Sequence, residues 1–423
     1  MHNSLIFAVA EEIRARPFLA AAELCRQFAI SKHQLKAIYA AIRASAKARE
    51  SFNSSPFFYL IKVLEDLSRY RSRTLQILRA KSPQPLLETL ELFVSGHCNV
   101  NCTFCYRRGR DYGDQRLLST TEFVAIVHEF ADLGGKVMDV SGGLEPLLSP
   151  AICDVLRAGV ERGLRTNLYT IGNALHNPKL STLLSCLSQI RVSFTAHDKK
   201  SYRPMMGVDQ FDRVTANIRA LMQVKARCHS SVKIGTSYVV TPENFRDIPK
   251  AIESVIDLGV DFLDLRSVSV WTSRNYTPKQ RAELREILAA VRHRQANSEY
   301  GQLKISIADT FSVIAIPESD SMPNIDADLI KMLVHYRVTV TPAGKVFPLN
   351  ILGQPTHEDE RFLLGNVGTN RPLAAAMTGK KNIPLHPDLL LPHDKSLLLA
   401  LSKLKNDLDF GIGLEESPFA AQN

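Results

Sequence analysis

Two textures divide the chain. Up to about residue 85, apolar positions recur at three- and four-residue spacing with no alternation, which predicts helices alone. Ala21 to Phe28, a break at Ala29-Ile30-Ser31, and Lys32 to Ile42 read as two short amphipathic helices, with Ser31 the N-cap of the second. Asn53-Ser-Ser-Pro56 interrupts the pattern, Phe57 to Ala80 predicts a further helix, and Ser82-Pro-Gln-Pro85 reads as a linker. From Glu88 the pattern switches to apolar runs alternating with helical periodicity. Strands are expected at Thr89 to Val94, Val137 to Val140, Thr166 to Thr170, Ile190 to Thr195, Val232 to Val240 and Phe262 to Val268. Helices are expected to start near Thr120, Ser149-Pro150, Asn177-Pro178, Asp209, Asp247 and Pro278. Strand–helix alternation is the mark of a parallel sheet, so the fold class is α/β, a partial (β/α)6 TIM-like barrel over residues 86–300. It is flanked by an all-helical N-terminal domain (1–85) and a small α+β C-terminal extension (301–423). There the alternation fails, leaving strands at Leu303 to Ala308 and Tyr336 to Leu349, the latter folded at Pro342-Ala-Gly344.

Composition narrows the class. The 423 residues are 45% apolar and 22% charged with ordinary glycine and proline usage, which excludes collagen-like and wholly disordered chains. Apolar runs such as Leu5 to Ala10 are far shorter than the ~18 residues of a membrane span, and Glu11-Glu12 follows instead of a cleavage site. A cytoplasmic protein without membrane partners is expected. The net charge of +9 is uneven, since residues 1–90 hold 14 basic and 7 acidic side chains.

Of seven cysteines, three fall within eight residues: Cys98-Asn-Val-Asn-Cys102-Thr-Phe-Cys105. In a reducing compartment such a cluster suggests metal. It follows the first strand, at the end of a β/α barrel where active sites are built. Three thiolates can hold three irons of a [4Fe-4S] cube and leave the fourth iron open. Zinc is the alternative, but closed zinc sites take four protein ligands and only His97 stands nearby.

The motif resembles that of the radical S-adenosylmethionine (radical SAM) superfamily, with Phe104 as the aromatic before the third cysteine. The resemblance runs over roughly residues 88–300. It implies Cys98, Cys102 and Cys105 as ligands of one [4Fe-4S] cluster, SAM on the open iron, and Phe104 beside the adenine. It further implies an external one-electron reductant of flavodoxin or ferredoxin type, which lets SAM be cleaved to a 5′-deoxyadenosyl radical that takes hydrogen from a substrate. Ser141-Gly-Gly-Leu-Glu-Pro146 is similar to the family's Gly-Gly-Glu-Pro segment, which implies Gly142, Gly143 and Glu145 around the SAM ammonium. Leu144 departs from the usual form. Leu168 to Asn173 is similar to the third strand end, with Thr170 and Asn173 as SAM contacts, and Ser193 matches the serine that meets the ribose.

Period-two alternation sets Ser193 and Thr195 on one strand face, and Asp264 and Arg266 on another. Inside a barrel that last pair is either self-satisfied or holds polar substrate groups, the catalytic candidates here. Arg107, Arg108 and Arg110 are either a solvated face or contacts to an anionic substrate. The C-terminal hairpin resembles the SPASM or twitch extensions, but no cysteine follows Cys228, so no auxiliary cluster of that type is expected. The substrate expected is a polar small molecule, a sugar or amino-acid derivative undergoing oxidoreductase- or lyase-type chemistry such as dehydration, deamination, epimerisation or dehydrogenation. A peptide is the runner-up. A third reading is a nucleic-acid-binding regulator with a redox-sensing cluster. The helix-turn-helix-like segment within residues 1–85 is a cap on the barrel, a docking site for peptide, or a site for nucleic acid, to which Lys32, His33, Gln34 and Lys36 would turn.

Overall fold

The structure, a computed structural model, describes residues 3–45, 52, 64, 75, 87–105, 115–141, 144–175, 184, 187–267, 276–307, 337–348, 360–378 and 392–420. The chain forms two compact units: residues 85–307 with 333–384, and residues 1–84 with 308–332 and 385–423. Apart from Leu64, Leu75 and Leu184, the expected helices at Phe57 to Ala80 and from Asn177 fall outside the described residues.

The larger unit is built on strands β1 (Thr89–Phe93), β2 (Val137–Ser141), β3 (Arg165–Thr170), β4 (Gln189–Ser193), β5 (Lys233–Val240) and β6 (Phe262–Ser267), each parallel to the next. Their connections carry the helices Thr120–Asp132, Ile152–Glu161, Lys199–Met206, Phe211–Arg227 and Ile248–Asp257. Local chemistry sets these starts. Ser119 and Glu122 close a capping box at Thr120, and Thr277 with Gln280 closes another ahead of Pro278–Ala296. Every strand is two-faced: Leu90, Leu92, Met138, Val140, Leu168, Ile190, Val192, Ile234, Leu263 and Leu265 are buried on the outer, helix-covered side. The inner side carries Glu91, Asp139, Asn167, Tyr169, Arg191, Ser193 and Asp264.

The sheet runs further than six strands. After Pro278–Ala296, β7 (Lys304–Ile307) joins β6 in parallel, so the alternation continues one unit past the point where its sequence signal fades. The sequence predicts the strand itself, at Leu303 to Ala308, but not its place as a further parallel member of the barrel sheet. On the other edge β8 (Arg337–Val340) lies parallel to β1, turns at Pro342 to Gly344, and returns as β9 (Lys345–Phe347), beside β10 (Gly365–Asn366). β10 and β7 end the order, leaving an open barrel.

In the smaller unit α1 (Asn3–Ala15), α2 (Ala21–Gln27) and α3 (Lys32–Ala44) share one core with the helix Pro392–Asp409 and the segment after it. Ser31 caps α3 through a capping box with Gln34, as its position foretells. Leu24, Leu35, Ile38, Tyr39 and Ile42 meet Leu399, Leu404, Ile412, Leu414 and Phe419. Asp407, 2% exposed, accepts from the Ala21 N–H at 2.7 Å and from the equally buried Lys403 at 2.6 Å. The Asp407 side chain thus caps the start of α2. No helix among the described residues is long and apolar enough to cross a membrane.

Candidate active site

The cysteine loop leaves β1 at the C-terminal edge of the sheet. Ser95 holds its start by accepting from the His97 N–H and donating to the His97 carbonyl, and the Cys105 N–H closes a turn on the Cys102 carbonyl at 3.1 Å. Cys102 lies within electrostatic reach of Cys105 and Cys98: burial first, then those two neighbours, push its thiol far above the ordinary range. Among the described residues, no group of three His, Cys, Asp or Glu could hold a metal ion. Ligands of a cube serve separate irons. Three thiols on one tethered loop are a donor set that fits a [4Fe-4S] cluster. Phe104 sits in the same turn, half-buried.

What grips this loop is an element with no clear sequence signal. The helix Lys199–Met206, here αC, begins at an Asp198–Ser201 capping box and ends at Gly207. Asn101 and Thr103 donate backbone N–H groups to the carbonyls of Met206 and Met205 at 3.2 and 2.9 Å. The Met206 sulfur lies 3.9 Å from the Cys102 sulfur. Gly207 has φ +72°, and a Cβ there would stand 2.2 Å from the Asn101 carbonyl oxygen, so only glycine admits the approach. The available signal was Asp198-x-x-Ser201 followed by Gly207, a cap at each end of an eight-residue helix.

Of the expected SAM residues, Gly142 and Gly143 lie outside the described residues. Glu145 is fully buried, and its carboxylate accepts from the Thr170 hydroxyl at 2.5 Å, the Ile171 N–H at 2.7 Å and the Leu147 N–H at 3.1 Å. Burial pushes its pKa up, and those three bonds pull against it. Its own N–H donates to the His97 carbonyl at 3.1 Å. Glu145 and Thr170 therefore form a brace joining the ends of β2 and β3 to the cysteine loop, and this buried carboxylate is satisfied by protein donors. Gly172, at φ +85°, completes the turn, where a Cβ would strike Val192 at 2.6 Å. Asn173 reaches the loop directly, donating to Asn99 at 3.0 Å and to Gln210 at 2.8 Å, while its own buried oxygen has no partner among the described residues. Ser193 ends β4 opposite Ser237, half-buried.

Asp264 is paired, and its partner is Arg191 at 3.3 Å, across β5 on β4. The Arg191 guanidinium lies 4.0 Å over the Tyr169 ring. Tyr169 in turn donates to Asp139 at 3.3 Å, and Asn167 donates to the same oxygen at 2.8 Å. Ser141 donates to Glu91 at 2.6 Å, with Arg337 at 3.9 Å from that carboxylate. Burial, then Asp139, keeps the Tyr169 hydroxyl protonated. A polar belt thus crosses the inner face from β8 to β6 beneath the cysteine loop. Its members Glu91, Asp139, Tyr169, Arg191 and Arg337 escaped sequence reading, although each holds an alternate position in a strand. Arg266 shares that face, one step nearer the strand end. A groove of about 700 Å³ lined by His197, Phe211, Arg219, Glu253 and Asp257 contains none of these residues.

An open (β/α) barrel with three cysteines on the loop after its first strand defines a class of protein. Residues 92–255 match the family model of the radical SAM superfamily. Over 202 residues it is 28% identical to the probable GTP 3′,8-cyclase of Saccharolobus islandicus, covering 48% of this chain and 63% of that one. Over 216 residues it is 28% identical to the dTDP-4-amino-4,6-dideoxy-D-glucose ammonia-lyase of Streptomyces venezuelae, 48% of this chain and 44% of that one. The chain thus spans less than two thirds of these curated relatives. Its fold is similar to that of SuiB from Streptococcus suis, with TM-score 0.52 at 16% identity, over 75% of this chain and 70% of that one.

Proposed function

We propose that the chain is a radical SAM enzyme acting on a polar small molecule, with Cys98, Cys102 and Cys105 holding one [4Fe-4S] cluster. When bound and reduced by an external one-electron donor, that cluster and SAM supply a 5′-deoxyadenosyl radical that abstracts hydrogen from the substrate. The observation that carries the reading is the gathering of the three thiols on a loop fastened at both sides, by Glu145 and Asn173 on one and αC on the other, above a polar barrel interior. Within it Glu145 and Thr170 act by holding strand ends in place. Gly142, Gly143, Phe104, Asn173 and Ser193 are proposed to line the SAM site.

The belt below supports the substrate class. Glu91, Asp139 and Asp264 face Arg191, Arg266 and Arg337 on one inner surface, a balanced set that suits hydroxylated or zwitterionic groups better than a greasy one. The relatives are named for GTP and for a dTDP-linked amino sugar, both polar small molecules. Asp264 and Arg191 are proposed to orient the substrate as a pair, with Arg266 above them.

Anaerobic reconstitution with iron and sulfide tests the reading. The wild type should bind both and, with a strong reductant, release 5′-deoxyadenosine and methionine from SAM. Cys98→Ala, Cys102→Ala or Cys105→Ala should lose iron, whereas Cys153→Ala should keep it. Retention of iron and sulfide by the triple variant would sink the assignment.

A further inference from the structure

The face of αC that grips the cysteine loop carries one polar atom with nothing to do in the fold. Tyr202 is 0% exposed, its ring set between Phe194 at 6.2 Å and Phe211 at 5.9 Å, and its hydroxyl has no hydrogen-bond partner among the described residues. Burying an unsatisfied hydroxyl is costly, and phenylalanine would fill the same aromatic cage without that cost. Its location gives the hydroxyl a use. Tyr202 lies one helical turn before Met206 and so shares its face of αC, and the Met206 sulfur touches that of Cys102. Burial first, and the nearby Cys102 thiol second, keep the phenol protonated, so it is a donor at every ordinary pH.

Resting on the cluster reading above, we propose that the Tyr202 hydroxyl donates a hydrogen bond to a sulfur of the bound cluster at the Cys102 corner and thereby raises the cluster's reduction potential. Reduction adds negative charge to the sulfurs, so a donor there stabilises the reduced state more than the oxidised one. Met206 belongs to the same device, its thioether covering the Cys102 corner against water. Tyr202 here touches the cofactor and neither binds substrate nor ligates iron.

The experiment uses the full chain reconstituted anaerobically, wild type against Tyr202→Phe. Both should hold the same iron and sulfide. In an EPR-monitored redox titration the variant should show about a tenfold lower ratio of reduced to oxidised cluster at a fixed potential, a midpoint about 59 mV more negative for a one-electron couple. Pulsed EPR of the reduced wild-type cluster should show a strongly coupled exchangeable proton that is missing from the variant. Without iron the variant should melt no lower than wild type, because the hydroxyl contributes nothing to the apo fold. An unchanged midpoint with the proton coupling intact overturns the proposal, as does a variant that melts normally yet loses its iron. A wild type that takes up no iron–sulfur cluster overturns the functional reading itself, a result distinguishable from either.

Discussion

Glu145 shows how burial redirects an ionisable residue. Its carboxylate is closed off from water, and desolvation outweighs the donors of Thr170, Ile171 and Leu147, so the folded-state pKa is raised. A carboxylate raised on folding favours the native state most while protonated in both states. That contribution is therefore complete below the ordinary glutamate range and is lost as pH climbs through the raised value. The unfolding free energy of the wild type should decline across that window, and Glu145→Gln, which stays neutral, should flatten the decline. Denaturant titrations at stepped pH check this, and a parallel pH profile for both proteins would count against it. The sequence announced Glu145 by its place after two glycines, but not its orientation, because which atoms meet it depends on how β2 and β3 lie together.

Among elements, αC is the one whose position decides whether the cysteine loop has a shape at all. Gly207 joins them: with φ +72° and the Asn101 carbonyl 2.2 Å from a would-be Cβ, Gly207→Ala combines left-handed strain of about 1–2 kcal/mol with a backbone clash that cannot be relieved by a rotamer change. Gly134→Ala, at φ +86° with nothing within 4 Å, incurs the strain alone. The first variant should therefore be the more destabilised in thermal melts and should also bind less iron, while the second should bind a full complement. Equal iron uptake by both would separate the loop's shape from αC. The strands around this helix were legible because period two and apolar faces are local properties. αC was not, since eight residues with Pro204 inside offer little periodicity, and its helical state is secured by caps and by Tyr202, Met205 and Met206 packing inward.

On the scale of the whole molecule, the smaller unit is assembled from both ends of the chain. The basic side chains of α3 are committed to that assembly: Lys32 donates to the Phe410 carbonyl at 3.2 Å, Lys36 pairs with Glu416 at 2.8 Å, and Arg43 donates to the carbonyls of Glu416 and Ser417. Lys32 and Lys36 are the groups a phosphate backbone would have needed, and here they hold the C-terminal segment. Deleting residues 392–423 should strip α1–α3 of Leu399, Leu404, Ile412, Leu414 and Phe419 from their shared core, remove the Asp407 cap from α2, and leave Leu35, Ile38 and Ile42 exposed, each worth about 1.5 to 3 kcal/mol when buried. Circular dichroism should then show a loss of helix beyond the deleted residues, and limited proteolysis should cut within residues 3–45. A protease-resistant N-terminal segment in the truncated chain would show that it folds unaided.

By itself the amino-acid sequence determined the order of β/α units, their faces and starts, and the three-cysteine loop at the first strand's end. Each of these is written in contiguous residues: alternation for strands, three- and four-residue periodicity and caps for helices, fixed spacing for thiols. Only the tertiary structure decided which partners those residues found. Asp264 met Arg191 two strands away and not Arg266 two residues away; Asp407 capped a helix 386 residues upstream. β8 lay beside β1, and αC closed on Cys102. The reason is physical. A strand's face is fixed by its own backbone, but a buried charge or an orphan hydroxyl takes whatever donor, acceptor or cofactor the packed interior brings within 3 Å or so, and packing couples positions that no local pattern relates.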